Sequence, residues 1–460
     1  VPGGLEFRQG MNVNKETVQF GTAAGRPAMV GSAMRVALRR VSVGALAASG
    51  LIRTLAAQTA WTWQEVRDRF EAGNPTLQAA QMNVQESRAQ QVTASLRPNP
   101  DFTTTIDQLN PFSTQPPPSG VGSDSYRPFA FALPLWSASY LHERQHKREL
   151  RLESAREGTA IAESQRSDVE RSLLFNLRNA FVQTLEAKAL LANAQENLDY
   201  YDRELSINRD RFRAGDISQL DLNRLILQRV GYESDLAAAQ VNLRTAKITL
   251  LTLVNDRTPV DQFDVTGPFD FSDQSMPLEE FRILAQDARP DLRAAIQAIS
   301  KAQTDHRLAI ANGSTDPTFS ADFARNPPIP VYLGFSVNIP LRIFDRNQGE
   351  KARTQIEIGR SQRLREATLA QVFSDVDSAY YTLQSSLSLL RPYKDTYLPT
   401  ASAVRDTMSF SFQRGQAALV DFLDAQREYR ATQVAYINLV AAYLTAAAQL
   451  NLAVGREVIL

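Results

Sequence analysis

Two hydrophobic periods divide the chain. From about Tyr140 to Phe212 the only glycine is Gly158 and there is no proline. In the second part of that stretch apolar positions return at alternating steps of four and three: Leu173, Leu177, Ala180, Thr184, Ala187, Leu191, Ala194, Leu198, Tyr201, Leu205, Asn208, Phe212. This is a coiled-coil seam. At 1.5 Å per residue, such a helix runs on the order of 100 Å. A second seam, Val372, Val376, Ala379, Leu383, Leu387, Leu390, Tyr397, Ala401, Val404 and Met408, predicts a partner helix over roughly 345–412. Pro392 and Pro399 lie inside it and predict a bend. The long helices are expected to stop at Gly215 and Gly415, with helices returning over Gln219–Val254 and Ala418–Val454. Shorter helices over 75–96 and 290–312 supply the length the returning helices lack.

The other period is two. Phe102, Thr104 and Ile106 lie on one face with smaller, mostly polar residues opposite, and Phe129, Phe131 and Leu133 alternate along the chain, as do Val331, Leu333, Phe335, Val337 and Ile339. Strands are therefore predicted over about 101–108, 127–135, 317–323 and 331–341. Period two with one apolar face suits a strand lying half in lipid or half in a core. Four strands cannot close a barrel, and an open edge in lipid leaves backbone groups unpaired. A membrane reading therefore requires oligomerisation, and three chains would supply about twelve strands.

The chain is also written twice. Glu65, Arg67, Pro75, Leu77, Ala79 and Ala80 recur without a gap as Glu280, Arg282, Pro290, Leu292, Ala294 and Ala295. Phe212, Gly215, Asp221, Thr245, Ala246, Leu250 and Val254 recur as Phe412, Gly415, Asp421, Thr445, Ala446, Leu450 and Val454. A period of roughly 200 residues is too long for a solenoid and marks duplication of a whole module. The expected divisions are a first repeat over 61–258, a linker over 259–277 and a second repeat over 278–460. Upstream, Met34, Arg35, Arg39 and Arg40 precede an apolar run, Val41–Ile52, and the small residues Ala56 and Ala57. That order reads as a signal peptide over 34–60, with 1–33 an over-extended reading frame before it.

Composition narrows the chemistry. Fifty basic and fifty acidic residues cancel, so no net charge favours nucleic acid. There is no cysteine, which excludes disulfides, thiolate metal sites and thiol nucleophiles. Neither a phosphate-cradling glycine loop nor G-x-S-x-G appears, so no cofactor is expected. One motif points to enzymology: His142-Glu143-Arg144-Gln145-His146 fits H-E-x-x-H, a zinc-peptidase pattern when it lies on a helix. Glu163, Glu170 and His306 would be the candidate third ligands. Its position between a strand and the long helix argues against catalysis and leaves His142 and His146 as weak metal candidates. At the far end of the long helices, Asp421 and Asp424 are spaced to share a face of a helix's first turn. Acidic residues also favour that position because of the helix dipole.

The whole of residues 60–460 resembles the TolC-like outer-membrane factors, the outer-membrane efflux proteins. The likeness rests on the helix starts Asn74-Pro75-Thr76-Leu77 and Arg289-Pro290-Asp291-Leu292, and on Leu133-Pro134-Leu135 and Ile339-Pro340-Leu341 at strand ends. The turn from Gly415 through Val420–Gln426 and the duplication itself complete it. Residues Ile339–Glu350 look closest to the heavy-metal (cobalt–zinc–cadmium type) efflux members. The resemblance implies a mostly α fold with a small β part: long coiled-coil periplasmic helices, and a twelve-stranded barrel in outer-membrane lipid shared by a homotrimer. It implies a non-enzymatic exit duct that docks a periplasmic adaptor (membrane fusion) protein and an inner-membrane pump of RND or ABC type. A type I protein-secretion duct is the alternative within the family, and a secreted zinc metallopeptidase the remote one outside it. The family's selectivity carboxylates match Asp421 and Asp424, and its gate aspartate matches Asp221. Phe412 and Ala417 stand where the family has a tyrosine and an arginine, so Arg414 or Arg213 is the candidate partner of Asp221 beside the turn glycines Gly215 and Gly415.

Overall fold

The computed structural model describes residues 59–109, 111–112, 114–115, 125–126, 128–129, 132–272, 276–326 and 329–459. Residues 1–33 and most of the expected leader lie outside them. In order, the described residues form β1 (Thr59–Trp61), α1 (Trp63–Gly73), α2 (Pro75–Ser95), β2 (Asp101–Asp107), β3 (Thr114–Gln115), β4 (Ser125–Tyr126), β5 (Leu133–Leu141), α3 (Lys147–Ala214) and α4 (Gln219–Val254). β6 (Phe263–Val265) follows, then α5 (Leu278–Ala288), α6 (Pro290–Asn312), β7 (Thr318–Asn326) and β8 (Ile329–Asn338). α7 (Gln348–Pro392), a π segment (Tyr393–Tyr397), α8 (Leu398–Gln413) and α9 (Leu419–Val454) complete the chain. β1 pairs in parallel with β6, Thr59 and Ala60 opposite Phe263 and Asp264, so these last two residues of the expected leader are part of a sheet.

The duplication is built into the cores. One cluster buries Val66, Phe70, Leu77, Leu250 and Val254, and a second buries their repeat partners Phe281, Ala285, Leu292, Leu450 and Val454. Helix starts correspond too, with different chemistry. Asn74 caps α2 by accepting from the Leu77 amide (3.0 Å), and its side-chain amide donates to the Leu253 carbonyl (2.9 Å). At the same place Arg289 donates to the Ala453 carbonyl (3.3 Å) and, only 4% exposed, is bonded to Asp291 and Asp375. A neutral cap in one repeat has become a buried ionic network in the other, satisfied on every side as burial requires.

The long-helix seams differ after the prolines. In α3, Leu177, Ala180, Thr184, Ala187, Leu198, Tyr201, Leu205 and Asn208 are buried as the period predicts. In α7, Val372, Val376, Ala379, Leu383, Leu387 and Leu390 are buried as well. Beyond Pro392 the expected seam holds only in part: Tyr397 and Val404 are exposed, while Ala401 and Met408 are half-buried. The π segment inserts a residue and rotates the helix, so the inward line becomes Leu398, Ser402, Arg405, Ser409 and Phe412, one position on. The helix thus passes Pro392 and Pro399 through a π segment and a changed register.

β2, β5, β7 and β8 form an antiparallel sheet in the order β2-β5-β7-β8. Its register puts Phe102, Ile106, Trp136, Tyr140, Phe319, Phe323, Leu333, Phe335 and Val337 on one face. That face is open, with Phe335 79% and Phe102 71% exposed. The other face carries Asp101, Thr103, Ser137, Ser139, Ser320, Asp322, Ser336 and Asn338. Of the strand expected over 127–135, residues 127, 130 and 131 lie outside the described residues; Phe129 lies in a turn, and the described strand runs from Leu133 to Leu141. Its apolar face is thus carried by Trp136 and Tyr140, and Leu133 and Leu135 turn to the polar side opposite Asp107 and Thr105. Leu133-Pro134-Leu135 consequently opens a strand, whereas Ile339-Pro340-Leu341 follows the end of one.

Candidate functional site

The sheet stands next to the start of α3, and the far end of that 68-residue helix is a tip some 100 Å along it. Two helical hairpins turn there. Gly215 (φ 88°) and Gly415 (φ 74°) take the left-handed conformation that closes a helix. In each turn the glycine amide bonds three residues back (3.0 Å at both), and the next amide bonds five back, Asp216 to Arg211 (2.9 Å) and Gln416 to Ser411 (2.8 Å). The duplicated spacing from Phe212 and Phe412 to the two glycines encodes the same stop twice.

A separate core holds the tip together: Leu198, Tyr201, Leu205, Leu222, Leu225, Tyr232, Phe412, Leu419 and Phe422 are buried, with Phe212, Ala417 and Leu423 against them. Phe412 stacks on Phe422, ring centres 5.0 Å apart and planes within 17°. Phe412 is buried in this core, so here the position serves packing. Ala417 likewise contacts the core.

The carboxylates lie on the surface of this unit. Asp221 accepts from the Ser218 hydroxyl (2.8 Å) and lies 3.9 Å from Arg224. Ser218 also caps α4 through the Asp221 amide, whereas Ala418 gives α9 no such cap. Asp421 is exposed, and among the described residues no side chain pairs with it. Asp424, also exposed, holds Arg427 at 2.7 Å. Neither expected partner meets Asp221 within the chain: Arg213 pairs with Asp210 (2.9 Å), and Arg414 lies over the Phe410 ring (4.5 Å).

The sequence reading missed the contacts that do join the two hairpins. Glu204 on α3, 7% exposed, accepts from the Ser409 hydroxyl (2.9 Å) and the Gln413 amide (3.1 Å) on α8. Arg211 donates to the Phe412 carbonyl (3.1 Å) and lies 5.2 Å from its ring. The available signal was a charge beside the seam residue Leu205, a pattern that solvated helix faces share.

The H-E-x-x-H reading fails on geometry. His142 to His146 lie in the connection before α3, and Gln145 and His146 have positive φ (58° and 56°), so the histidines do not share a helical face. Glu143 is bonded to Arg151, and His146 lies 4.0 Å from Glu149. The candidate third ligands are engaged elsewhere: Glu163 with Arg88, Glu170 with Arg166, and His306 with Thr354. Among the described residues no group of three His, Asp or Glu side chains is arranged to hold a metal.

Comparison with known proteins agrees with this architecture. The outer membrane efflux protein family matches residues 66–256 and 283–456, one segment per repeat. The cobalt-zinc-cadmium resistance protein CzcC of Cupriavidus metallidurans is 24% identical over 320 residues, 67% of this chain and 74% of that protein. The pyoverdine export outer membrane protein OpmQ of Pseudomonas aeruginosa is 26% identical over 338 residues, 69% of each. Among solved structures, CusC superposes with a TM-score of 0.71 at 19% identity, covering 87% of this chain and 93% of that one. The open state of the Neisseria gonorrhoeae MtrE channel gives 0.68 at 18% identity, covering 86% and 89%. With the open apolar sheet, the long paired helices and a family match in both repeats, the chain belongs to the outer membrane efflux protein family, the TolC-like efflux channels of the outer membrane.

Proposed function

We propose that this chain is the exit duct of a tripartite efflux pump. It works as a homotrimer that carries small solutes passively from an inner-membrane pump and a periplasmic adaptor to the outside. The observation that carries the reading is the four-stranded sheet with an open apolar face, a polar face and two unpaired edges, β2 and β8. One chain cannot satisfy those edges in lipid, while β8 of one copy against β2 of the next closes a ring and buries no apolar side chain in water. The polar face then lines the lumen. The relatives named for cobalt-zinc-cadmium resistance and pyoverdine export support solute cargo over protein cargo.

The tip is the gate in this reading. Among the described residues no side chain pairs with Asp421, which stands one helical turn from Asp424. Three copies place a ring of carboxylates about the axis, and such a ring favours cations at a constriction. Adaptor docking on the tip turns separates the hairpins and widens the ring. Because the chain has no cysteine, Asp421→Cys introduces a single thiol. Mild oxidation of whole cells is expected to join two protomers of each trimer through Cys at 421, and pump engagement to lower the yield. Absence of a cross-link at 421, with one forming instead at an exposed residue on the sheet's apolar face, would refute the arrangement.

A further inference from the structure

At the seam between the repeats lies a cleft of about 380 Å³ with Trp63, Phe175 and Arg178 from the first repeat on one side and Pro290, Leu452 and Arg456 from the second on the other. That volume is within the range of small-molecule sites, roughly 300–1,000 Å³. The arginines that border it fall into two kinds. Arg67 is hydrogen-bonded to Glu71 (2.8 Å), and Arg171 to Asp168 (3.0 Å) and the Leu452 carbonyl. Arg178 and Arg456 are different: among the described residues neither meets a carboxylate within 4.0 Å nor donates a side-chain hydrogen bond.

Arg178 is the informative one. Its guanidinium carbon lies 4.5 Å from the centre of the Trp63 ring, a cation–π contact that uses none of its N–H donors in a hydrogen bond. Burial lowers its pKa, with only the charge of Glu457 opposing. Glu457 itself lies 3.7 Å from Arg67. Arg178 is half-buried and stays charged, so a hydrogen-bonded counter-ion would stabilise it. Arg289 shows how this chain treats a buried guanidinium when the partner is internal, with Asp291 and Asp375 both within 2.7 Å. Among the described residues Arg178 has no such partner: Glu170 and Glu457 line the same cleft, but each lies closer to another arginine, Arg166 and Arg67.

We propose that this cleft binds an organic carboxylate, its acid group on the Arg178 and Arg456 guanidiniums and its apolar body against Phe175 and Leu452. The planar fork of arginine matches a carboxylate, and the apolar wall gives affinity to a ligand larger than an inorganic ion. The carboxylate has two possible sources, a free acid or an Asp or Glu side chain of an adjoining copy. The second source rests on the trimer proposed above, and the first does not.

The test is calorimetric titration of the full chain in detergent with benzoate and with benzamide, its uncharged counterpart. Arg178→Gln is compared with Arg244→Gln, a control on α4 that does not line the cleft. A free-acid site predicts one benzoate per chain, far weaker benzamide binding, and a roughly ten- to hundredfold loss in Arg178→Gln alone. A site filled by an adjoining copy predicts no benzoate binding, with the trimer of Arg178→Gln melting at a lower temperature and Arg178→Lys restoring part of the difference. Equal binding of benzoate and benzamide overturns the proposal. So does no binding together with a trimer that melts unchanged. Circular dichroism checks folding, and Arg456→Gln, at the exposed mouth, carries the same test if Arg178→Gln does not fold.

Discussion

Phe335 lies in the middle of β8, is 79% exposed, and points to the apolar face with Leu333 and Val337. Ser336, the next residue, points the other way, opposite Ser320. If the apolar face meets lipid and the polar face meets the lumen, the same substitution at the two sites has very different costs. Arginine facing lipid near the midplane of a barrel costs about 2–4 kcal/mol, whereas a lumen position tolerates charge. Three copies per trimer raise the cost of Phe335→Arg to roughly 6–12 kcal/mol per assembly if the sites act independently. Ser336→Arg adds charge to the lumen at little cost. The assay is the fraction of trimer resisting unheated SDS after refolding into vesicles, across a urea series. Phe335→Arg is expected to be trapped as monomer under conditions in which wild type and Ser336→Arg assemble. Equal behaviour of the two variants, or greater damage from Ser336→Arg, would refute the face assignment.

Two further outcomes follow from the helices. Phe422→Ala removes a fully buried ring from the tip core, a change worth about 3–5 kcal/mol; because this core is separate from the other two, limited proteolysis should open the two tip turns first, whereas Val420→Ala, 57% exposed, should not. Proteolysis that begins instead near β1 and β6 would contradict a separate tip unit. The Arg282 guanidinium, bonded to both carboxylate oxygens of Asp377 (2.8 and 2.7 Å), holds that acid below its ordinary value of 3.8. With the folded pKa below the unfolded one, the pair contributes stability above the ordinary value and loses it as pH falls through the lowered one. The difference in melting temperature between wild type and Asp377→Asn should therefore be constant near neutrality and shrink in acid. A difference that grows on acidification would contradict the sign.

Much of this fold is legible in the chain because its elements obey strong periods. The α3 seam from Leu177 to Asn208, the glycine stops and the strand at Phe102–Ile106 are all local patterns read without tertiary knowledge. The strand expected over 127–135 takes its apolar face from the alternation that ends at Leu133, whereas the described strand is set by pairing Trp136 with Thr104 and Phe323. A period of two gives opposite faces when its start is misplaced by an odd number. The seam expected beyond Pro392 holds only in part for a related reason: two prolines announce a disturbance, but only the observed π turn fixes its size at one residue. Near the sheet, the bundle core is held by Ser154 with Asp305, Ser87 with Thr159, and Ser164 with Gln297. Hydrophobic periodicity is blind to such polar contacts. At the tip, Asp421 and Asp424 could be singled out from spacing, but the pairing of Glu204 with Ser409 and Gln413 joins distant segments and carries no local mark.

The central claim is a duct gated by carboxylates at the helical tip. Its most direct test is the single-channel conductance of the purified trimer in a planar bilayer, wild type against the double variant Asp421→Ala/Asp424→Ala. The account predicts discrete cation-selective steps in wild type, with selectivity falling and open time rising in the variant. Steps of unchanged selectivity in the variant would remove the gate from the tip. A protein that inserts in no bilayer and forms no SDS-resistant trimer would contradict the duct itself.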